Sequence, residues 1–135
     1  MLTGETQFRV RYSETDQMGY VYYGNYAAYF EVGRTELLRK LGFTYKLMEE
    51  QGIALPVYEY KCKFLRPAHY DDLLLLKTTI PEIPTTRIHF LYELFNEPGN
   101  LITKAEAILV FVDKLTGKPI MAQDGLLEAM KPYFA

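Results

Sequence analysis

Tryptophan is absent from the 135-residue chain, and cysteine occurs once, at Cys62. A lone cysteine excludes an intrachain disulfide and a Cys-x-x-Cys pair. It fits a reducing compartment, so a cytoplasmic protein is expected. Long apolar runs are missing as well. Leu73-Leu74-Leu75-Leu76 is the longest aliphatic stretch, far short of the ~20 residues a membrane span needs. The opening MLTGETQFRVRYSETD has no apolar block of the kind a secretory leader carries. Positive charge is not in surplus: 15 Lys and Arg stand against 17 Asp and Glu. That balance argues against a surface that wraps nucleic acid as a whole, and leaves room for a local basic patch. The two histidines, His69 and His89, have no second ligand type at metal spacing on their own elements, so no metal site is expected. No Gly-x-Ser-x-Gly elbow and no glycine-rich phosphate loop occurs.

Aromatic bulk is abundant, with 12 Tyr and 8 Phe. The length suits a single domain spanning 1–135. A chain of this size buries roughly two thirds of its unfolded surface, enough for a core without covalent staples. Phe8, Val10 and Tyr12 alternate with Arg9, Arg11 and Ser13, the period of a half-buried strand. A turn-rich stretch from Glu14 to Gly24 follows, with Asn25 as the expected N-cap. Tyr26, Phe30, Gly33, Leu37 and Leu41 then trace one helix face, and apolar flanks predict that the helix is enclosed. Gly42 should end it, and Tyr45 to Gln51 reads as a second short helix.

Period two then takes over: Val57 to Arg66, Leu73 to Ile80, Arg87 to Leu94 and Leu101 to Val112 read as long strands, separated by proline and glycine turns. A short terminal helix begins near Asp124. One strand, one buried helix and four strands predict an α+β hotdog fold, an antiparallel five-stranded sheet curled around one long central helix. Its open strand edges predict self-association as a dimer or tetramer.

The segment SETDQMGYVYYGNY, residues 13–26, sets a carboxylate, Asp16, and four tyrosines at the strand-to-helix junction. A turn needs Asp and Gly but not four phenols, and a core needs apolar bulk but not a carboxylate. The start of a helix offers unpaired amides at the positive end of a dipole. Such amides can hold an oxyanion while a nearby carboxylate attacks or activates water.

From Arg9 to Phe43 the chain resembles the 4-hydroxybenzoyl-CoA thioesterase family, and within it the acyl-CoA thioesterase branch associated with Tol-Pal genes. The Tyr-x-x-x-Asp-x-x-Gly-x-Val-Tyr run from Tyr12 to Tyr22, the following Asn25-Tyr26, and Phe30-Glu31-x-x-Arg34 carry the likeness. Phe-x-x-Pro-Ala-x-Tyr-Asp-Asp-x-Leu from Phe64 and the Phe111–Pro119 hairpin extend it. The resemblance implies hydrolysis of acyl-CoA to a carboxylic acid and CoA, with no cofactor. It implies Asp16 as the catalytic carboxylate, matches Tyr12 to a tyrosine of that branch, and makes the Tyr23 amide a donor to the thioester carbonyl. The helix-start argument adds the Gly24 amide, and the Tyr12 hydroxyl either orients Asp16 or its water or belongs to an aromatic that only packs on the helix. Relatives often carry His where Tyr23 stands, so a histidine's proton-transfer role does not carry over.

Gly19, Val21, Tyr22, Asn25 and Tyr26 are expected to shape or line the acyl pocket. Arg87 is expected to meet a CoA phosphate, with Lys61, Lys63, Arg66, Lys114 and Lys118 as further cations. Glu31 and Arg34, three apart, are expected to pair on the helix. Acyl carrier protein could deliver the acyl group in place of CoA, and a hotdog module that binds acyl-CoA without hydrolysing it is the alternative from another class.

Overall fold

A computed structural model describes residues 1–134. Strands β1 (Leu2–Arg9), β3 (Val57–Phe64), β4 (Leu73–Ile80), β5 (Arg87–Phe95) and β6 (Leu101–Val110) form one antiparallel sheet in the order β1-β4-β5-β6-β3. Helix α1 (Tyr26–Lys40) follows β1 and lies on one face of that sheet, with α2 (Tyr45–Glu50) after it. The short strands β2 (Ile53–Ala54) and β7 (Val112–Asp113) pair separately, and α3 (Asp124–Met130) leads into one last tight helical turn, Lys131–Tyr133.

Alternation decides which side chains meet the helix. Ile88, Phe90, Tyr92 and Leu94 on β5 and Leu74, Leu76, Thr78 and Ile80 on β4 are all buried. The register aligns Gly4, Thr78, Tyr92, Ala105 and Cys62 across all five strands. Small residues in that row make room for the helix. At Gly33 the approach is closest: a Cβ there would stand 2.5 Å from Thr78 Oγ1 and 2.6 Å from Leu76 Cδ2. Only glycine lets the backbone sit this low on a sheet whose side chains are themselves fully packed.

Three strand limits differ from the period-two reading. The first strand ends at Arg9 and reaches back to Leu2, where Thr3, Gly4 and Glu5 dilute the apolar signal. Tyr12 is therefore not on it. Tyr12–Glu14 forms a single tight helical turn, closed by Arg11 N donating to Glu14 Oε1 at 2.8 Å. β3 stops at Phe64 because Leu65 N and Arg66 N both donate to Ile102 O, which breaks the ladder. The last long strand ends at Val110, and Val112 leaves the main sheet to pair with Ala54.

The helix is enclosed on one side only. Tyr26, Tyr29, Phe30, Gly33, Arg34, Leu37 and Leu38 are buried, whereas Ala27, Ala28, Glu31 and Val32 are exposed in the single chain. The Glu31–Arg34 pair is not formed. Arg34 turns toward the sheet, where Nε donates to Tyr45 OH at 2.9 Å and a terminal nitrogen lies 3.4 Å from Tyr92 OH. Three residues leave a net angle of about 60° around the helix, so Glu31 stands at the exposed edge of the face that Arg34 buries, and Arg34 is taken by the two phenols instead. Burial raises the Tyr92 phenol to about 12, with the Arg34 charge opposing that shift. Phenols thus serve as neutral acceptors for a cation that would otherwise be costly to enclose.

Candidate active site

Residues 15–21 form a small closed loop. Asp16 N donates to Tyr20 O at 2.8 Å and Gly19 N to Asp16 O at 3.0 Å, and Thr15 bridges to Val21. Gly19 holds a φ of +78°, a conformation that costs glycine nothing. The Asp16 side chain stabilises the same loop: Oδ1 accepts from Met18 N at 2.9 Å and from Tyr20 N at 3.2 Å. This is an Asx turn, the ordinary use of aspartate at such a place. It occupies one carboxylate oxygen. Oδ2 makes no hydrogen bond among the described residues.

Val21 N donates to Ala68 O, which ties the loop to the segment between β3 and β4. Residues 23–25 then make one tight helical turn that runs straight into α1. The first amide used in that turn is Asn25 N, which donates to Tyr22 O at 2.9 Å. Tyr23 and Gly24 come before it and have no intrahelical acceptor. Gly24 is confined by Tyr22, whose ring lies over it: a Cβ at 24 would stand 2.7 Å from Tyr22 Cε2. Asn25 precedes α1 as expected, but its side chain does not cap the helix. Nδ2 instead donates to Glu14 O at 2.8 Å.

Asp16, Val21, Tyr23, Tyr26, Phe64 and Arg66 line one cavity of about 310 Å³. Its walls are aromatic, with the Tyr26 and Phe64 rings edge to face at 4.9 Å. Burial pushes the Tyr26 phenol above its ordinary value, so that wall stays uncharged. Asp16 also borders a second concavity of about 650 Å³, walled by Tyr12, Gln17 and Tyr70. The carboxylate thus stands between two spaces, beside a helix start with spare donors. A larger concavity of about 750 Å³, bounded by Lys61, Lys77, Leu91, Glu93 and Lys104, lies at the charged face of the sheet, away from the helix start.

The structure brings together Asp16, Val21, Tyr23 and Tyr26 around one cavity; Gly19 borders the second concavity instead, and Gly24 lies at the helix start under the Tyr22 ring. Tyr22 is outside the cavity and packs on Tyr23, ring to ring at 4.8 Å. Tyr12 is 77% exposed and packs against Tyr70 at 5.6 Å; among the described residues it gives Asp16 no hydrogen bond. Arg87 is elsewhere. Its guanidinium covers the Tyr58 ring at 4.5 Å, and Tyr58 is six residues from Phe64 along β3, roughly 20 Å at strand rise. Arg66 is the cation that reaches this cavity within the chain. Met18, Tyr20, Phe64, Leu65 and Pro67 line the same cavity and were not expected in it. Phe64 ends the edge strand β3, and this placement, visible only once strand order is known, brings 64–67 to the helix start.

A curled antiparallel sheet with a long helix on its face, and a carboxylate beside the free amides at that helix start, defines a hotdog-fold protein of the thioester-handling class. The chain belongs to the thioesterase-like superfamily, whose family model matches residues 10–130. YneP of Bacillus subtilis is 38% identical over 120 residues, covering 89% of this chain and 87% of that protein. The acyl-CoA thioester hydrolase YbgC of Escherichia coli is 34% identical over 111 residues, 82% of this chain and 83% of its own length. Among solved structures, a DHNA-CoA thioesterase from Staphylococcus aureus superimposes with a TM-score of 0.86 at 36% identity, covering 99% of this chain and 85% of that one.

Proposed function

We propose that this protein hydrolyses acyl-CoA, with Asp16 as the reacting carboxylate and the Tyr23 and Gly24 amides as donors to the thioester oxygen. The observation that carries the reading is the shared cavity: Asp16 and Tyr23 line the same space, and the amides at 23 and 24 are unclaimed by the helix. The thioester carbonyl would lie against those amides, which strengthen their bonds as the oxygen gains charge. Asp16 Oδ2 then either attacks the carbonyl carbon or takes a proton from the water that does. In both routes the C–S bond breaks, the thiolate leaves and is protonated, and one water is consumed overall to give acid and CoA. Val21, Tyr26 and Phe64 supply an apolar, aromatic seat for the acyl group, and Arg66 stands where an anionic group of the carrier would gain from a cation. The Tyr-x-x-x-Asp spacing from Tyr12 supports placement in the Tol-Pal-associated branch. We further place the protein in a reducing compartment, because Cys62 is unpaired, and read residues 1–135 as one functional unit.

Thiol release should be measured on a panel of aliphatic and aromatic acyl-CoA esters, and on the same acyl groups carried by acyl carrier protein. Turnover with CoA esters is the expected result. Preference for the protein carrier would shift the substrate assignment, and binding without thiol release on any carrier would favour the non-catalytic module.

Self-association is part of the same proposal. β3 is an edge strand, and Val57, Tyr58, Tyr60 and Phe64 on it are 40–62% exposed; Ala28 and Val32 on α1 are uncovered as well. An open apolar edge of this kind is a template for a second copy. Sedimentation should therefore give twice or four times the chain mass. A monomer at assay concentration that still turns over substrate would refute this part.

A further inference from the structure

We infer that Glu14 is a positioning residue for the reaction, and that its partner in this task is the buried phenol of Tyr29. This rests on the reading of Asp16 and the helix-start amides as the reacting groups. Residue 14 is joined to both halves of that site at once. Its carbonyl oxygen accepts Tyr22 N at 2.9 Å and Asn25 Nδ2 at 2.8 Å, one residue before and one after the two donor amides. Its own backbone is two residues from Asp16 along the chain. Its carboxylate Oε1 accepts Arg11 N at 2.8 Å and Tyr29 OH at 3.0 Å. Arg11 begins the turn that leads to Asp16, and Tyr29 sits on α1 one helical turn below Asn25. A single residue thus fixes the spacing between the carboxylate that reacts and the donors that hold the carbonyl.

The anchor is rigid where it matters. Tyr29 is 5% exposed, held by Phe8 at 4.6 Å and Tyr26 at 5.8 Å between ring centroids. Burial and the neighbouring Glu14 carboxylate push its phenol well above its ordinary value, so it remains a donor throughout the working pH range. The hydrogen bond is charge-assisted and shielded, the kind that holds geometry best. Glu14 does not line the Asp16–Tyr23 cavity, and among the described residues Arg11 Nε at 3.7 Å is its only ionic neighbour. Its effect on the reaction is accordingly through distance, and misplacement by about 1 Å costs ~10²-fold in rate.

Four variants test this: Tyr29→Phe, Glu14→Ala, the pair combined, and Glu14→Gln, with Asp16→Asn as reference. Glu14→Ala should lower kcat about 10²-fold and Tyr29→Phe about tenfold, with KM within about twofold, since the cavity wall is untouched. The double variant should be no slower than Glu14→Ala alone, because the two side chains act as one unit. Glu14→Gln keeps an acceptor oxygen of the same reach and should restore kcat to within about threefold of the parent. A structural role alone would lower the folded fraction and leave kcat per folded molecule unchanged. If Tyr29→Phe and Glu14→Gln both match the parent kcat, or the losses at 14 and 29 multiply, the inference falls. If Asp16→Asn is itself fully active, the reading beneath it falls instead. Should Glu14→Ala fail to fold, the kcat of Tyr29→Phe against that of Glu14→Gln decides: loss in the first and retention in the second supports the inference, any other pattern overturns it.

Discussion

Asp16→Asn should lower the rate of thiol release by about 10²–10⁴-fold while leaving the melting temperature almost unmoved. The separation of the two effects follows from the division of labour on one side chain. Oδ1 accepts Met18 N and Tyr20 N, and an asparagine oxygen placed there accepts the same two bonds. The loop, the bridge from Thr15 to Val21 and the Gly19 turn are therefore kept, and the stability change should stay within about 0.5 kcal/mol. What is removed is the negative charge and the basic lone pair at the other position, which neither attacks a carbonyl nor accepts a proton once it is an amide nitrogen. Asp16→Ala removes both functions. It should lose activity to a similar degree and in addition cost about 1–2 kcal/mol through loss of the two hydrogen bonds that close the loop. Parallel kinetics and thermal melts on the two variants check this. Equal turnover by Asp16→Asn and the parent would refute the assignment of the carboxylate, whatever the melts show.

The parts of the fold that were legible in the sequence are those with long regular periods. Ile88 to Leu94 alternates cleanly, and the α1 face from Tyr26 to Leu37 repeats at helical spacing, so the five-strand, one-helix order could be written down from pattern alone. β1 was half hidden because Gly4 and Thr6 point inward: the helix side chain of Leu37 occupies that space, with a Gly4 Cβ only 2.8 Å from its Cδ1. A strand that must be thin does not look apolar. Tyr12 misled for the opposite reason, since an aromatic at the right parity continues a pattern that the backbone has already left. At the site, Asp16 and the 22–26 segment were readable because local motifs put them next to each other. Motif and charge marked Phe64 and Arg66 but not their place beside Asp16, because that approach depends on β3 pairing with β6 at a distant register. The Glu31–Arg34 pair was a helix-surface rule applied to a residue that the fold turns inward, where phenols on α2 and β5 take the place of the expected carboxylate.

Phe30→Ala should be the most destabilising single truncation on α1, by about 3–5 kcal/mol. Phe30 is 1% exposed, lies on Tyr92 with ring centroids 4.7 Å apart and 25° between planes, and reaches Tyr60 at 6.2 Å. The void left behind cannot close easily. Gly33 one turn on has no side chain to offer and already holds the backbone against Leu76 and Thr78, and the sheet beneath is tied into its register by neighbours on both sides. A loss of this size is a large share of the roughly 5–15 kcal/mol that holds a domain folded, and corresponds to a fall of roughly 10–20 °C in Tm. Urea unfolding should show a lower midpoint with an unchanged slope, since the same surface is exposed on unfolding. Activity should disappear together with the folded signal on heating, because Tyr26 and the donor amides sit on the turn of helix that Phe30 fastens to the sheet. Loss of turnover well below the unfolding temperature would show that the helix start is held by something other than this packing, and the spacing of carboxylate and amides would then need another anchor.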